Sequence, residues 1–305
     1  MRINTVCRSR ASSRINDSLT KRSEKMKIVI GIDVGGSTTK IVGFKREGDK
    51  LERIAPQFVR AHDPLTATYG AFGKFTDENN IPISSIERVM MTGIGSSHVK
   101  HNLYGIECER VPEFNCIGRG GLYLSGLDRA LVVSMGTGTA LVSATRGGEM
   151  KYLGGTGVGG GTLVGLSKLL VGAEGIDHIV EYAEGGELAN IDLRIKDLAS
   201  HDSMTGLGDD VTAANFGNVS DVATKSDMAL GIMNMVYETV GMVSVFASRH
   251  AGVRDIVLTG NLTRLGFCQR KFEEFNNMGY GVNFRIPECA QFATVIGAAL
   301  LGTEK

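Results

Sequence analysis

A short apolar strand that runs into a glycine-rich, hydroxyl-bearing turn, and out again as a second strand, occurs twice in this chain, about 100 residues apart. The first copy is Lys27–Val34 (KIVIGIDV), then Gly35, Gly36, Ser37 and Thr38, then Thr39–Phe44 (TKIVGF). The second is Ala130–Ser134 (ALVVS), then Met135-Gly136-Thr137-Gly138-Thr139, with Ala140–Ala144 resuming as a strand. A spacing this long points to a duplicated domain, since stacked solenoid repeats recur every ~20–50 residues.

The remaining segments fit two α/β halves. Leu65–Asn79 is compatible with a helix, and Ile86–Met91 is a strand closing on Thr92-Gly93-Ile94-Gly95. Helices are expected over Leu163–Leu170, around Asp177–Glu184 and, as a long Met-rich amphipathic element, over Asp227–His250. Gly206–Val219, rich in Gly, Asp and Asn, reads as an ordered loop. Asp255–Leu258 is a strand entering Thr259-Gly260-Asn261, and Ala290–Leu301 is a final small-residue helix. These divisions predict an N-terminal subdomain over 27–112 and a C-terminal one over 113–302. The 41 glycines against 5 prolines suit a chain built on tight strand-to-helix turns.

Composition excludes several classes. The 33 basic residues balance 33 acidic ones, so bulk charge favours neither nucleic acid nor an anionic membrane. No run approaches the roughly 18 apolar residues of a bilayer span, so a soluble, cytoplasmic protein is expected. The 5 cysteines are scattered without metal-ligand spacing, which reads as reduced intracellular thiols. Residues 1–25 differ, with 7 Arg or Lys, 2 acids and 5 Ser. They read either as a transit-like presequence or as a start assigned ahead of Met26; the second is favoured, with disorder expected in both cases.

The turns carry the chemistry. Gly35 and Gly36 let backbone N–H groups approach an anion, Ser37 and Thr38 add hydroxyls, and Lys40 adds charge. Asp33 would repel phosphate alone but suits Mg²⁺ held through water. The alternative is a plain hairpin with a solvated Asp. Gly136, Thr137, Gly138 and Thr139 offer the same equipment, and two such turns facing across a cleft would clamp one nucleotide. A third run, Gly154–Thr162, includes Gly157, Gly159, Gly160 and Gly161 and leads into a helix, whose N-terminus is an anion site. It lacks the Gly-Lys-Ser/Thr of a Walker A loop. Gly260 and Asn261 form a fourth turn. Glu113, behind Pro112 and near a helix start, is placed either as a base for phosphoryl transfer or as an ordinary first-turn acid.

In this order the motifs resemble phosphate-1, phosphate-2 and adenosine of the actin, hexokinase and Hsp70 superfamily, implying a duplicated ribonuclease H-like fold with an interdomain ATP cleft. Over roughly Lys27–Gly302 the chain is similar to type II pantothenate kinases. The likeness rests on Asp33, Gly35, Gly36, Ser37 and Lys40, and on Glu113-Phe114-Asn115. It also rests on Gly136–Thr139, the Gly154–Thr162 run and Asp210–Val219 (DVTAANFGNV). The resemblance implies transfer of the ATP γ-phosphoryl group to the terminal hydroxyl of pantothenate, the first step of coenzyme A synthesis. Glu113 would be the base, Asp33 the Mg²⁺-linked acid, and the long helix a homodimer contact. Tyr152, Thr156 and Arg119 would meet the substrate.

One position departs from the family. Where members usually carry an Arg just before the third glycine run, this chain has Tyr152 beside Lys151. A Tyr offers one hydrogen bond and no bidentate contact to a carboxylate. Either Lys151, Arg119 or Arg146 substitutes, or the acceptor differs, a pantetheine-like compound being next. A catalytically silent relative stays open, as does an ATP-gated activator of an acyl-CoA dehydratase. The activator is disfavoured because no cysteine sits in a Gly-flanked bridging segment.

Overall fold

The structure is a computed structural model that describes residues 27–304 apart from 37, 49, 61–62, 199–207 and 209. The expected N-terminal extension and Ser37 lie outside the described residues.

In chain order, β1 (Lys27–Val34), β2 (Thr39–Glu47) and β3 (Lys50–Val59) form an antiparallel meander. Next come α1 (Pro64–Glu78), β4 (Ile86–Thr92), β5 (Cys108–Arg110) and α2 (Glu113–Ser125). A second meander follows: β6 (Arg129–Met135), β7 (Thr139–Thr145) and β8 (Met150–Thr156). It leads to α3 (Gly160–Leu170), α4 (Ile176–Glu184), β9 (Leu193–Arg194), α5 (Ile195–Leu198), β10 (Thr212–Ala214) and α6 (Lys225–Ala251). The last elements are β11 (Asp255–Thr259), α7 (Gly266–Asn277), β12 (Asn283–Arg285) and α8 (Ala293–Thr303).

The first sheet has the order β3-β2-β1-β4-β5 and the second the order β8-β7-β6-β11-β12. In both, the first-formed strand pairs antiparallel with the meander on one side and parallel with a crossover strand on the other. The same topology is thus built twice, on the two strand–turn–strand units visible in the sequence.

Strand alternation decides what covers each sheet. Ile28, Ile30, Ile32 and Val34 of β1 pack with Ala71, Phe72 and Phe75 of α1. Val29 takes the opposite face with Ala298 of α8, and Gly31 there lies against Val295 and Ala299. In the second sheet, Leu131, Val133 and Met135 join the large core around α6, while Ala130 and Val132 pack with Ile117 and Leu122 of α2. Helices are therefore exchanged: α2, which follows the first sheet, covers the second, and α8, which follows the second, covers the first. The two helices also pack on each other at backbone contact. A Cβ on Gly120 would collide with the Ala293 carbonyl, and one on Gly297 with the Cys116 carbonyl.

Helix α6 starts at a capping box between Thr224 and Asp227 and stops at Gly252 in the left-handed conformation. Its 27 residues make it long and apolar enough to cross a bilayer by length and composition, which the run-counting expectation overlooked. Its buried Ile232, Met233, Val236, Tyr237 and Val240 belong to the core of the second lobe, together with a buried Asn234.

Several elements escaped the sequence. β3 alternates weakly and lies at a sheet edge with half its residues exposed, and β5 and β12 are 3 residues each. The described part of Gly206–Val219 is not loop throughout, since β10 pairs with β9. The third glycine run begins as strand, with Gly154–Thr156 inside β8. The final helix starts at Ala293, after a 3-10 turn over Ala290–Phe292.

Candidate active site

Asp33 lies on the β1 face that carries Val29 and Gly31, one position from the strand end. It opens there into a cavity of 450 Å³ between the two sheets. Its register partners are Lys40 on β2 and Thr92 on β4. Protein surrounds its carboxyl group, so burial pushes the pKa up, against the opposing pull of the Lys40 ammonium. Burial likewise lowers the Lys40 pKa, with Asp33 and Glu113 acting to raise it and Arg264 to lower it. The Lys40 Nζ donates to the backbone carbonyl of Gln291 at 2.7 Å, which ties the first turn to the approach of α8.

The first turn is closed by Gly35 N donating to Thr38 O at 3.1 Å, and the second by Gly136 N donating to Gly138 O at 2.9 Å. Gly35, Gly36 and Thr38 from one turn and Gly136, Thr137, Gly138 and Thr139 from the other line the cavity from opposite sides.

In the third run, two of the donors at the helix start face the second turn. Gly160 N donates to Gly136 O at 2.9 Å and Gly161 N to Thr137 O at 2.8 Å, so these helix-start donors hold the second turn. Gly159 is pressed on Gly138, where a Cβ would come within 2.8 Å of its backbone, and the Thr139 hydroxyl donates to Val158 O at 2.8 Å. Gly157 lines the cavity; Gly159, Gly160 and Gly161 stand behind it.

Gly260 and Asn261 also line the cavity. Gly260 has φ +93°, and a Cβ there would sit 2.5 Å from Met135 O. Gly93 is its counterpart in the first lobe, with φ +83° and a Cβ that would lie 2.5 Å from an Asp33 carboxylate oxygen. Each follows a Thr at the end of a crossover strand and precedes a 3-10 turn. Only a glycine fits either place.

Glu113 is the first residue of α2 and points into the cavity. Partial burial raises its carboxyl pKa, the Asp33 charge raises it further and Lys40 opposes both. Tyr152 and Thr156 line the same space. The Tyr152 ring stacks on Phe114, the residue after Glu113, with centroids 3.9 Å apart and planes at 10°.

Arg119 does not line the cavity: its guanidinium pairs with the Glu304 carboxylate at the end of α8. Residues not singled out in the sequence also line it, among them Gly93, Ile94, Ile117, Gly155 and Thr294. For Gly93 a signal existed, because Thr92-Gly93 repeats Thr259-Gly260. The Asp210–Val219 segment lies away from the cavity, where the Thr212 hydroxyl and the Asn215 amide each donate to Glu238 of α6 at 2.9 Å. Among the described residues no cluster of three His, Cys, Asp or Glu forms a metal site.

The family model described as Fumble matches residues 129–284. A type II pantothenate kinase of Oceanobacillus iheyensis is 29% identical over 265 residues, 84% of this chain and 93% of its own length. One from Staphylococcus aureus is 27% identical over 283 residues, 90% of this chain and 99% of its own. Among solved structures, the activator of the 2-hydroxyisocaproyl-CoA dehydratase from Clostridium difficile with bound ADPNP superposes with a TM-score of 0.65. It has 16% identity, over 91% of this chain and 94% of that one. A ROK family glucokinase from Streptomyces griseus with glucose and AMPPNP gives 0.56 at 13% identity, over 91% and 100%. At these identities the structural likeness shows a shared fold.

Proposed function

The chain belongs to the Fumble family, and from that premise we propose that it transfers the γ-phosphoryl group of ATP to the terminal hydroxyl of pantothenate, giving 4'-phosphopantothenate at the head of coenzyme A synthesis. The observation that carries this reading is the convergence of two opposed glycine turns, Asp33 and Glu113 on one cavity.

The residues fit the groups the reaction requires. A cavity of 450 Å³ suits the phosphate end of a nucleotide and a small acceptor. Backbone N–H groups and hydroxyls of Gly35–Thr38 and Gly136–Thr139 would cradle phosphates, and Asp33 would hold Mg²⁺ through water. Mg²⁺, when bound, neutralises charge on the transferring phosphoryl group. Glu113 takes the proton of the attacking hydroxyl. Burial and the Asp33 charge raise its pKa, which makes its carboxylate a stronger base than a solvated one. Asn261 and Gly260 would border the adenosine. The same reading carries a cytoplasmic homodimer joined through α6, whose Phe246 is exposed.

The test is turnover of purified protein with Mg-ATP and pantothenate, beside pantetheine and sugars. Phosphorylation of pantothenate that vanishes in Glu113→Gln, with nucleotide binding retained, is the expected result. Absence of turnover on every acceptor, with ATP bound, would sink the kinase in favour of a silent relative.

A further inference from the structure

Helix α6 carries a buried hydroxyl whose partner adjoins the cavity. Tyr237 sits inside the core of the second lobe, its ring flanked by Phe267 and Phe272 with centroids 5.5 and 6.1 Å away. A phenylalanine would fill the same apolar space, and a buried hydroxyl costs free energy unless it is hydrogen-bonded. The Tyr237 phenol donates to the backbone carbonyl of Leu262 at 2.8 Å. Burial raises its pKa, so the proton stays on the oxygen, and a phenol has a single O–H to give. Among the described residues, other buried polar side chains of α6 bond elsewhere: Asn234 to Asp192, Ser244 to Val240 and Ser248 to Val253.

Leu262 is the second residue of the 3-10 turn Asn261–Arg264. Asn261, just before it, lines the cavity. Arg264, two residues after it, lays its guanidinium over the Phe58 ring of β3 in the first lobe, 5.4 Å from the centroid. The Arg264 charge also acts on Lys40, lowering its pKa. The turn is fixed at its start, where Gly260 N donates to Ala290 O at 3.1 Å and Gly260 is pressed on Met135. Tyr237 supplies the anchor in its middle, from a helix that does not itself line the cavity. A shift of this turn would therefore move a cavity-lining side chain and a contact between the lobes together.

We propose that Tyr237 is a positioning residue for the nucleotide: through the Leu262 carbonyl its hydroxyl fixes the turn that presents Asn261, and so sets the affinity for the adenosine end of ATP. The inference rests on the reading above that the cavity takes ATP, and it adds a residue outside the cavity on which that binding depends. Phosphoryl transfer, centred on Glu113 and the two glycine turns, keeps its rate once ATP is bound.

The experiment titrates a non-hydrolysable ATP analogue with Mg²⁺ into the full chain by calorimetry. Tyr237→Phe, which keeps the ring and drops one oxygen, should bind the analogue about three- to tenfold more weakly, the scale of one lost hydrogen bond. Ser244→Ala removes another buried α6 hydroxyl, one that bonds within its own helix, and should bind the analogue as the unaltered protein does. In an Asn261→Ala background the Tyr237→Phe change should cost less than about twofold, because the side chain it positions is gone. In turnover assays KM for ATP should rise while kcat stays within about twofold. Unchanged affinity in Tyr237→Phe, an equal loss in Ser244→Ala, additive effects with Asn261→Ala, or a Tyr237→Phe chain that no longer folds would overturn the proposal. Failure of the unaltered protein to bind the analogue would remove the ATP reading itself, and the inference with it.

Discussion

Gly297 on α8 and Cys116 on α2 meet backbone to backbone, with no room for a Cβ between them. Gly120 and Ala293 repeat the contact with the roles of the helices reversed. Since α8 covers the sheet that holds Asp33 and α2 begins with Glu113, this crossing sets how far Glu113 stands from the first glycine turn.

Gly297→Ala should lower stability by about 1–3 kcal/mol, the usual cost of overpacking a closed contact. Gly70→Ala, on the exposed side of α1 with open space around it, should instead raise stability by about 0.5–1 kcal/mol. Thermal melts of both variants decide the matter: a shift in the same direction for both would show that close approach is not why Gly297 is required.

The pH profile follows from the acid pair. With its pKa raised by burial and by Asp33, Glu113 loses its proton above the ordinary Glu value of ~4.3, so the acid limb of kcat/KM should fall above that pH. Asp33→Asn removes a neighbouring negative charge and should lower the Glu113 pKa, while Lys40→Met removes a positive one and should raise it. An NMR titration of the Glu113 carboxyl in each variant without nucleotide checks both signs.

Glu238 joins α6 to the segment after β9 by accepting from Thr212 and Asn215, with the buried Lys271 ammonium 3.7 Å away. Glu238→Ala should cost about 1–3 kcal/mol, the range for hydrogen bonds to a charged group. Hydrogen exchange should report the loss first at residues 210–219, and uniform loss over the whole chain would contradict a local strut.

Burial pushes the thiols of Cys116 and Cys268 up to about 12. Neither should react with iodoacetamide at pH 8 in the native state, while the partly exposed Cys289 should. Mass spectrometry of labelled peptides, native against denatured, gives the comparison.

The turns were legible because their chemistry is local: Asp33, Gly35, Gly36, Thr38 and Lys40 fall within eight positions of one hairpin. Glu113 was legible as a helix-first acid between two such turns. What stayed hidden depends on distant chain. The pairing of Arg119 with Glu304 follows only once α8 has returned to the first lobe. The third run reads as an anion cradle because its donors are glycine N–H groups at a helix start. Composition does not reveal that the carbonyls of Gly136 and Thr137 already take two of them. Gly93 was passed over because a lone Thr-Gly at a strand end is common, and its meaning comes from its twin at Gly260.

The exchange of α2 and α8 also sets an order of completion during synthesis. The second lobe receives its covering helix before its own strands are made, whereas the first lobe waits for α8, the last described element. Between β4 and α8 lie about 200 residues, which at ~5–20 residues per second take on the order of ten to forty seconds to translate. Until α8 is made, Val29 and Met90 lack the cover that Ala298 gives them in the finished fold. A ribosome-bound chaperone would find its binding surface there, on the lobe that is synthesised first and finished last.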